Sequence, residues 1–247
     1  MRKLSVMTMI GVGVLTFACL GMQTVKAETT VGLDIASAYI FRGTTINDSF
    51  VAQPSLEAVG HGVTLGTWAN LDLDDSDNGA YEAGNISEVD LYASYELPLG
   101  ITNLSISTGY SEYTYPRAGG SVGADGTTVE PVDADSEFNL VAEANLPLSP
   151  TLGVYYGVDG AIDQSVYTEA TIGYEKELPA GLTGTAGALI AYLNPDEGED
   201  GFSHAALSAG LEYGMFSVGI TYFVETDDDV LVIDEDVLGT IGFSHDF

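Results

Sequence analysis

The amino-acid sequence predicts an all-β protein: a transmembrane antiparallel up-and-down β-barrel of about twelve strands, with short periplasmic turns and longer, acidic outer loops. Segments of about ten residues alternate between apolar and small or polar side chains, and turn residues separate them. The apolar rows carry almost no charge, whereas the opposite rows are rich in carboxylates. Beyond the N-terminal segment, no apolar run reaches the ~18 residues that a spanning helix needs. A mature chain that crosses a membrane would therefore do so with strands.

Residues 1–27 are predicted to be a cleaved signal peptide, which leaves 28–247 as the barrel. A basic start precedes an apolar run, and small residues stand at positions −3 and −1 of a cut after Ala27. An uncleaved membrane anchor is the alternative. The single cysteine, Cys19, lies in this segment, so the predicted mature chain of 247 − 27 = 220 residues contains no disulfide.

The predicted mature chain is strongly acidic. It has 3 basic and 37 acidic residues, which gives a net charge of 3 − 37 = −34. This charge excludes nucleic-acid binding, which requires a basic face. A hydrophobic content of 45% and 14 tyrosines argue against disorder, and tyrosine suits a membrane interface.

The alternating segments number twelve along the chain, and their connectors alternate in length. Connectors after odd-numbered strands, such as 116–135, are long, and those after even-numbered strands, such as 98–100, are short. An even strand count with short periplasmic turns predicts that both termini lie on the periplasmic side. The predicted strands are 30–43, 53–60, 62–73, 86–97, 101–115, 136–147, 150–159, 165–178, 182–193, 202–213, 215–226 and 236–247.

The C-terminal strand shows the two faces of the predicted wall most clearly. Alternate side chains of a strand point to opposite faces, so its apolar row is predicted to face lipid and its small, polar row a lumen. The first row is Val237, Gly239, Ile241, Phe243, His245 and Phe247, and the second is Leu238, Thr240, Gly242, Ser244 and Asp246.

Strand 182–193 fits this pattern worst. Its Leu189 and Leu193 would face inward, and no polar side chain accompanies them in their row. Either this strand borders an internal plug or its register is shifted.

The inward rows are predicted to carry many carboxylates and a single basic side chain, Arg42. Rings of carboxylates in a water-filled lumen concentrate cations and repel anions. The alternative is that the acidic side chains simply solvate a filled or narrow lumen. The candidate lumen and selectivity residues are Arg42, Asp34, Glu57, Asp72, Glu88, Asp90, Glu143, Glu169 and Glu212.

Arg42 is predicted to lie near the outer end of the first strand. There it would form a structural ion pair across the lumen wall with Asp72 or with loop carboxylates. A second hypothesis makes it a selectivity point, because a guanidinium can hold an anionic group through two hydrogen bonds.

The outer loops contain acidic runs that are candidates for loosely bound Ca²⁺ or Mg²⁺, since hard cations prefer oxygen ligands. No run has the twelve-residue spacing of a Ca²⁺ loop, and solvated charge is the alternative. The candidate residues are Asp74, Asp75, Asp77, Asp227, Asp228 and Asp229.

His204, beside Ser203, is the one candidate for catalysis. Adjacent residues of a strand point to opposite faces, so the two side chains are not expected to meet. The sequence therefore predicts that the protein is not an enzyme.

Several blocks of the chain resemble the TorF-type family of outer-membrane porins. They include Phe41-Arg42-Gly43, Trp68-Ala69-Asn70 and Glu137-Phe138-Asn139, and the likeness covers roughly residues 33–160. The ending on Phe247 resembles the terminal strand of outer-membrane barrels, which closes the barrel and is recognised by the assembly machinery. The resemblance implies outer-membrane lipid and this machinery as partners, after signal-dependent export.

These observations predict a porin-like channel in the bacterial outer membrane for passive diffusion of small cationic or neutral solutes. The alternative is a non-conducting structural or surface-interaction barrel whose acidic loops bind cations.

Overall fold

The computed structural model describes residues 28–77, 81–116, 134–225, 230–231, 233 and 235–247, and within them twelve strands form one closed antiparallel barrel. Two further strands, β2 and β3, pair only with each other. The predicted fold class and strand number are confirmed. The strands are β1 Glu28–Ala36, β2 Tyr39–Phe41, β3 Thr44–Asn47, β4 Val51–Gly60, β5 Val63–Asp72, β6 Ile86–Glu96, β7 Leu104–Thr114, β8 Asp135–Ala144, β9 Thr151–Asp159, β10 Val166–Glu177, β11 Leu182–Asn194, β12 Gly201–Tyr213, β13 Phe216–Glu225 and β14 Val237–Asp246.

The first and last strands close the barrel. Thr30 of β1 pairs with Asp246 of β14, and the backbone N–H of Phe247 donates to the carbonyl of Thr29 at 2.9 Å. The start of β1 and the end of the chain therefore meet at one rim, as the even strand count predicts. None of the described residues forms a helix that is long and apolar enough to cross a membrane.

The rim that holds the start of β1 and Phe247 carries the tight turns, and we call it the short-turn rim; the other is the long-loop rim. His61 and Gly62 join β4 to β5 with φ angles of 53° and 77°. Two positive φ values are what a two-residue turn of type I′ requires. A short 3₁₀ turn, Pro179–Gly181, joins β10 to β11 at the same rim.

The two faces of the wall follow the predicted alternation. Ile241 on the outward row of β14 is 61% exposed, whereas Leu238 on its inward row is 1% exposed. The outward rows of β5 and β13 likewise expose apolar side chains, among them Leu65 and Ile220. The exposed apolar surface suits lipid contact, as in other membrane barrels.

The first predicted strand, 30–43, is too long. In the structure β1 ends at Ala36, which pairs directly with Val51 of β4, and residues 38–49 leave the wall. A wall strand would expose every second side chain to lipid, but Ala38, Tyr39 and Ile40 are all buried. This segment therefore cannot continue the wall, and β2 and β3 within it form a hairpin.

Candidate functional site

The β2–β3 hairpin, residues 39–47, lies inside the barrel, and we call it the plug. Tyr39 and Ile40 belong to one buried cluster with inward side chains from distant parts of the wall, including Tyr155 on β9 and Phe223 on β13. A hairpin that packs against opposite walls must occupy the lumen. Leu189 and Leu193 join this cluster, which explains their inward apolar row. Strand β11 pairs regularly with β10 and borders an internal plug, so the plug hypothesis is the correct one for this row.

The turn of the plug consists of Arg42 and Gly43, whose φ angles are 51° and 84°. Gly43 is pressed against the wall: a Cβ added there would lie 2.8 Å from Cγ of His204 and 2.7 Å from Cδ2 of Leu231. Such distances leave no room for a side chain, and the positive φ also favours glycine. The tight turn brings the plug backbone against β12 and presents Arg42 to β8, β9 and β10.

Arg42 forms a bidentate ion pair with Glu137 of β8. Its Nη1 donates to Oε2 at 2.9 Å and its Nη2 to Oε1 at 2.7 Å, and Glu137 is only 1% exposed. Two parallel charge-assisted bonds are the strongest form of this contact. Burial lowers the pKa of Arg42, but attraction by the Glu137 carboxylate outweighs it, and the pKa stays above its ordinary value.

Aromatic rings complete the surroundings of the Arg42 guanidinium. Its central carbon lies 4.6 Å from the ring centre of Tyr155, 4.4 Å from that of Tyr167 and 4.8 Å from that of Phe41. All three distances lie within the ~6 Å at which a ring attracts a cation. The guanidinium is thus held by both a carboxylate and ring faces.

Hydrogen bonds between tyrosines and carboxylates fix this surrounding wall. Tyr113 donates to Glu137 at 2.8 Å, and Tyr155 and Tyr167 donate to the two carboxylate oxygens of Glu169 at 3.0 and 3.2 Å. We call these five residues of β7 to β10 the cage.

The plug has further polar anchors on β5 and β6. Tyr39 donates to Glu88 at 2.8 Å, and Asn47 donates to Oδ1 of Asp72 at 2.8 Å. Asn70 and Ser87 donate to the same Asp72 oxygen, each at 3.1 Å. Asp72 therefore binds Asn47 of the plug, and the predicted Arg42–Asp72 pair is wrong because Arg42 belongs to the plug turn and not to a wall strand.

The candidate lumen residues thus divide into two groups. Asp72, Glu88 and Glu169 are buried beside the plug, and Asp90 is half-buried on the inward row next to Glu88. The second group is half-buried and faces inward away from these anchors. Its members are Asp34, Glu57, Glu143 and Glu212. Asp34 pairs with Gly242 of β14, and Glu57 accepts a hydrogen bond from Tyr92 at 3.2 Å.

The acidic outer loop after β5 uses its carboxylates mainly on its own backbone. Asp74 accepts from the N–H of Asp75, and Asp75 accepts from the N–H of Ala83; Asp77 donates its own N–H to Asp48. Within the described ranges, no three His, Cys, Asp or Glu side chains are grouped so that they could hold a metal ion. Asp227, Asp228 and Asp229 lie outside the described residues, and loop cation binding stays a prediction.

The expectation that Ser203 and His204 point to opposite faces is wrong. The register between β11 and β12 shifts at Ala191 and Tyr192. His204 pairs with Ala191 and Phe202 pairs with Tyr192, so Ser203 between them has no pairing residue on β11. Such a bulge places two successive residues on one side of the strand. Ser203 Oγ and His204 Nδ1 are 3.1 Å apart and buried, and the histidine ring stacks on Tyr167, so the pair supports the plug and cage.

Sequence reasoning allowed for an internal plug but did not identify residues 39–47 as the hairpin that forms it, although two signals pointed there. Residues 39–41 and 44–47 are two short apolar or β-branched runs separated by two residues that include a glycine, which is a hairpin pattern. The inward Leu189 and Leu193 required an apolar partner inside the lumen.

A closed up-and-down barrel with an apolar outer surface and polar inward rows defines a transmembrane β-barrel of the outer-membrane porin type. The chain belongs to the Gcw_chp family, described as a bacterial protein of unknown function, whose profile matches residues 23–232. The TorF-type likeness remains a resemblance of sequence blocks.

Among solved structures, a KdgM porin is similar in fold. The two chains are 10% identical in sequence and superpose with a TM-score of 0.52, and the match covers 88% of this chain and 99% of the porin chain. A KdgM porin in complex with disordered oligogalacturonate gives 9% identity and a TM-score of 0.51, over 89% and 99%. At such identities the likeness extends to the fold alone. No curated protein matches the sequence.

Proposed function

We propose that the protein is a porin-like channel of the bacterial outer membrane, through which small cationic or neutral solutes diffuse passively, and that the plug restricts this flow. The observation that carries the proposal is the one-sided charge of the inward rows. Glu57, Glu143 and Glu212 are half-buried on three different strands around the lumen. Carboxylates so placed attract cations into a water-filled passage.

Arg42 does not offset these charges. Arg42 is already compensated by Glu137 through its two hydrogen bonds. The lumen carboxylates outside this pair therefore leave a negative excess along the passage. A solute as acidic as the oligogalacturonate named for the KdgM porin would be repelled by this lumen.

A non-conducting barrel is the second candidate, and the plug itself favours it. The buried cluster around Tyr39 and Ile40 fills part of the lumen, so the barrel conducts little while the plug is seated. In this alternative the acidic loops bind cations or a partner at the cell surface.

Outer-membrane location follows from the same proposal. Residues 1–27 would direct export, and the strand that ends in Phe247 would be recognised by the barrel-assembly machinery before insertion into lipid. Membrane fractionation tests the location: the protein is expected with outer-membrane markers, and recovery in the soluble fraction would contradict it.

Planar-bilayer recording across a salt gradient tests the channel. We expect the sign of the reversal potential to show that cations pass more readily than anions. The reversal potential should shift toward zero when Glu57, Glu143 and Glu212 are changed to Gln together. The matched control changes Asp196, Glu197 and Glu199, which are exposed in an outer loop, and leaves the potential unchanged. Preference for anions would overturn the proposal.

A second variant separates the two candidates. Because Ala36 and Val51 already pair, residues 37–50 can be replaced by an Asn-Gly turn without altering the wall register. We call this the plug-less variant. A folded plug-less barrel without conductance would favour the non-conducting candidate.

A further inference from the structure

All five residues of the cage belong to the barrel wall. Tyr155 of β9 pairs directly with Tyr167 of β10, and Ser111, two residues before Tyr113 on β7, pairs with Glu137 of β8. The backbone positions of the cage are therefore set by the barrel ladder. Removal of the plug is therefore expected to leave these residues at the same positions in the wall, where they face the lumen.

The part of Arg42 that enters the cage is a planar organic cation. The cage offers it one carboxylate for a bidentate pair and two tyrosine rings at 4.4 and 4.6 Å. A second carboxylate, Glu169, is fixed beside the same rings by the hydroxyls of both tyrosines. Carboxylates together with ring faces are the combination that recognises guanidinium and ammonium groups.

We infer that the cage is a binding site for organic cations carrying a guanidinium group, and that Arg42 of the plug occupies it as a built-in ligand. This inference rests on the proposed function, since a solute reaches the cage through the lumen. A solute cation and Arg42 compete for Glu137, so binding of the solute and seating of the plug exclude each other.

The chemistry of the cage selects organic cations over metal ions. Ca²⁺ requires about six to eight oxygen ligands and Mg²⁺ six in a tight octahedron. The cage instead presents ring faces to its occupant, which suit a flat, weakly hydrated cation. The guanidinium therefore fits better than either metal.

Arg42 is tethered next to the cage, which gives it a high effective concentration there. A free solute must displace it in the unmodified protein, so its binding is expected to be weak. Removing the Arg42 side chain, or the whole plug, empties the cage while leaving the wall intact.

Calorimetric titration of the purified, detergent-solubilised barrel with arginine amide tests the inference. Citrulline amide, which has nearly the same shape but a neutral side chain, is the matched probe. We expect Arg42→Ala and the plug-less variant each to bind arginine amide about tenfold or more tightly than the unmodified barrel, as expected for charge-assisted bonds. Glu137→Gln, added to either variant, should remove this gain, whereas Glu199→Gln, in an exposed outer loop, should leave it in place.

The outcomes separate this inference from the proposed function. If both emptied variants are folded and bind arginine amide no better than citrulline amide, or if Glu137→Gln has no effect, the inference is wrong whether or not the barrel conducts. If they bind arginine amide but pass no current, the site stands and the channel proposal fails. Heat-modifiable migration in gels verifies folding, and the plug-less variant serves if Arg42→Ala does not fold.

Discussion

At the scale of single residues, Arg42 links the plug to the barrel wall. The guanidinium bonds to a nearly inaccessible carboxylate and lies among three rings, so its removal would leave Glu137 buried without its counter-charge. The sequence predicts that Arg42 forms an ion pair, because it is a single basic residue on inward rows rich in carboxylates. The sequence does not predict that Glu137 is the partner, because the position of Arg42 depends on a turn that takes the chain out of the wall.

Changing Glu137 to Gln is expected to lower the free energy of unfolding by about 3 kcal/mol, because it leaves the Arg42 charge buried without its counter-ion. Urea unfolding in detergent or lipid provides the measurement. Glu199→Gln, in an exposed loop, removes the same charge as a control and should have no measurable effect. Equal stabilities for the two variants would show that the ion pair does not hold the plug.

Gly43→Ala is expected to unseat the plug and raise conductance. The new methyl group would clash with His204 and Leu231 at 2.8 and 2.7 Å, in addition to the cost of a positive φ. Bilayer recording of open-state current measures the effect.

Gly214→Ala provides the matched control for the Gly43 substitution. Gly214 also has a positive φ, 62°, but nothing lies within 4 Å of a Cβ built there. Its alanine variant carries the backbone strain without the crowding and should keep the unmodified conductance. An equal rise in both variants would assign the effect to backbone strain alone.

At the scale of elements, periodicity predicts the wall strands because each has one apolar and one polar face. Strand β14 is an example, with Ile241 outside and Leu238 inside. The plug breaks this rule, since the successive side chains of Tyr39 and Ile40 are both buried. Alternation therefore extends the first strand to residue 43, whereas the wall in fact ends at Ala36.

The β12 bulge shows a second limit of sequence reasoning. One unpaired residue, Ser203, turns two neighbouring side chains to the same side. Whether a strand contains such a residue depends on its pairing with β11, which alternation within one strand does not report.

The barrel is expected to fold without the plug. The β1–β4 ladder runs as far as Ala36 and Val51, and all twelve wall strands keep their neighbours in the plug-less variant. Heat-modifiable migration and a β-type circular dichroism spectrum should match those of the unmodified protein. Loss of both would mean that the plug is part of the folding core.

At the scale of the whole molecule, charge and plug act on the same passage in different ways. In the proposed channel, the lumen carboxylates would determine which ions enter, and the plug would determine how much current passes. Charge selection weakens with salt, because the screening length falls from about 10 Å at 0.1 M to about 3 Å at 1 M ionic strength. We therefore expect the cation preference of the plug-less variant to fall as salt rises at a fixed gradient ratio, and a salt-independent preference would point to size selection.

We propose that this barrel contains a cation-preferring passage that its own hairpin restricts. Single-channel recordings of the unmodified protein and the plug-less variant in the same salt gradient test this directly. We expect a several-fold larger conductance for the plug-less variant, with a reversal potential that still favours cations. Equal conductance in the two proteins, or a plug-less barrel that favours anions, would contradict it.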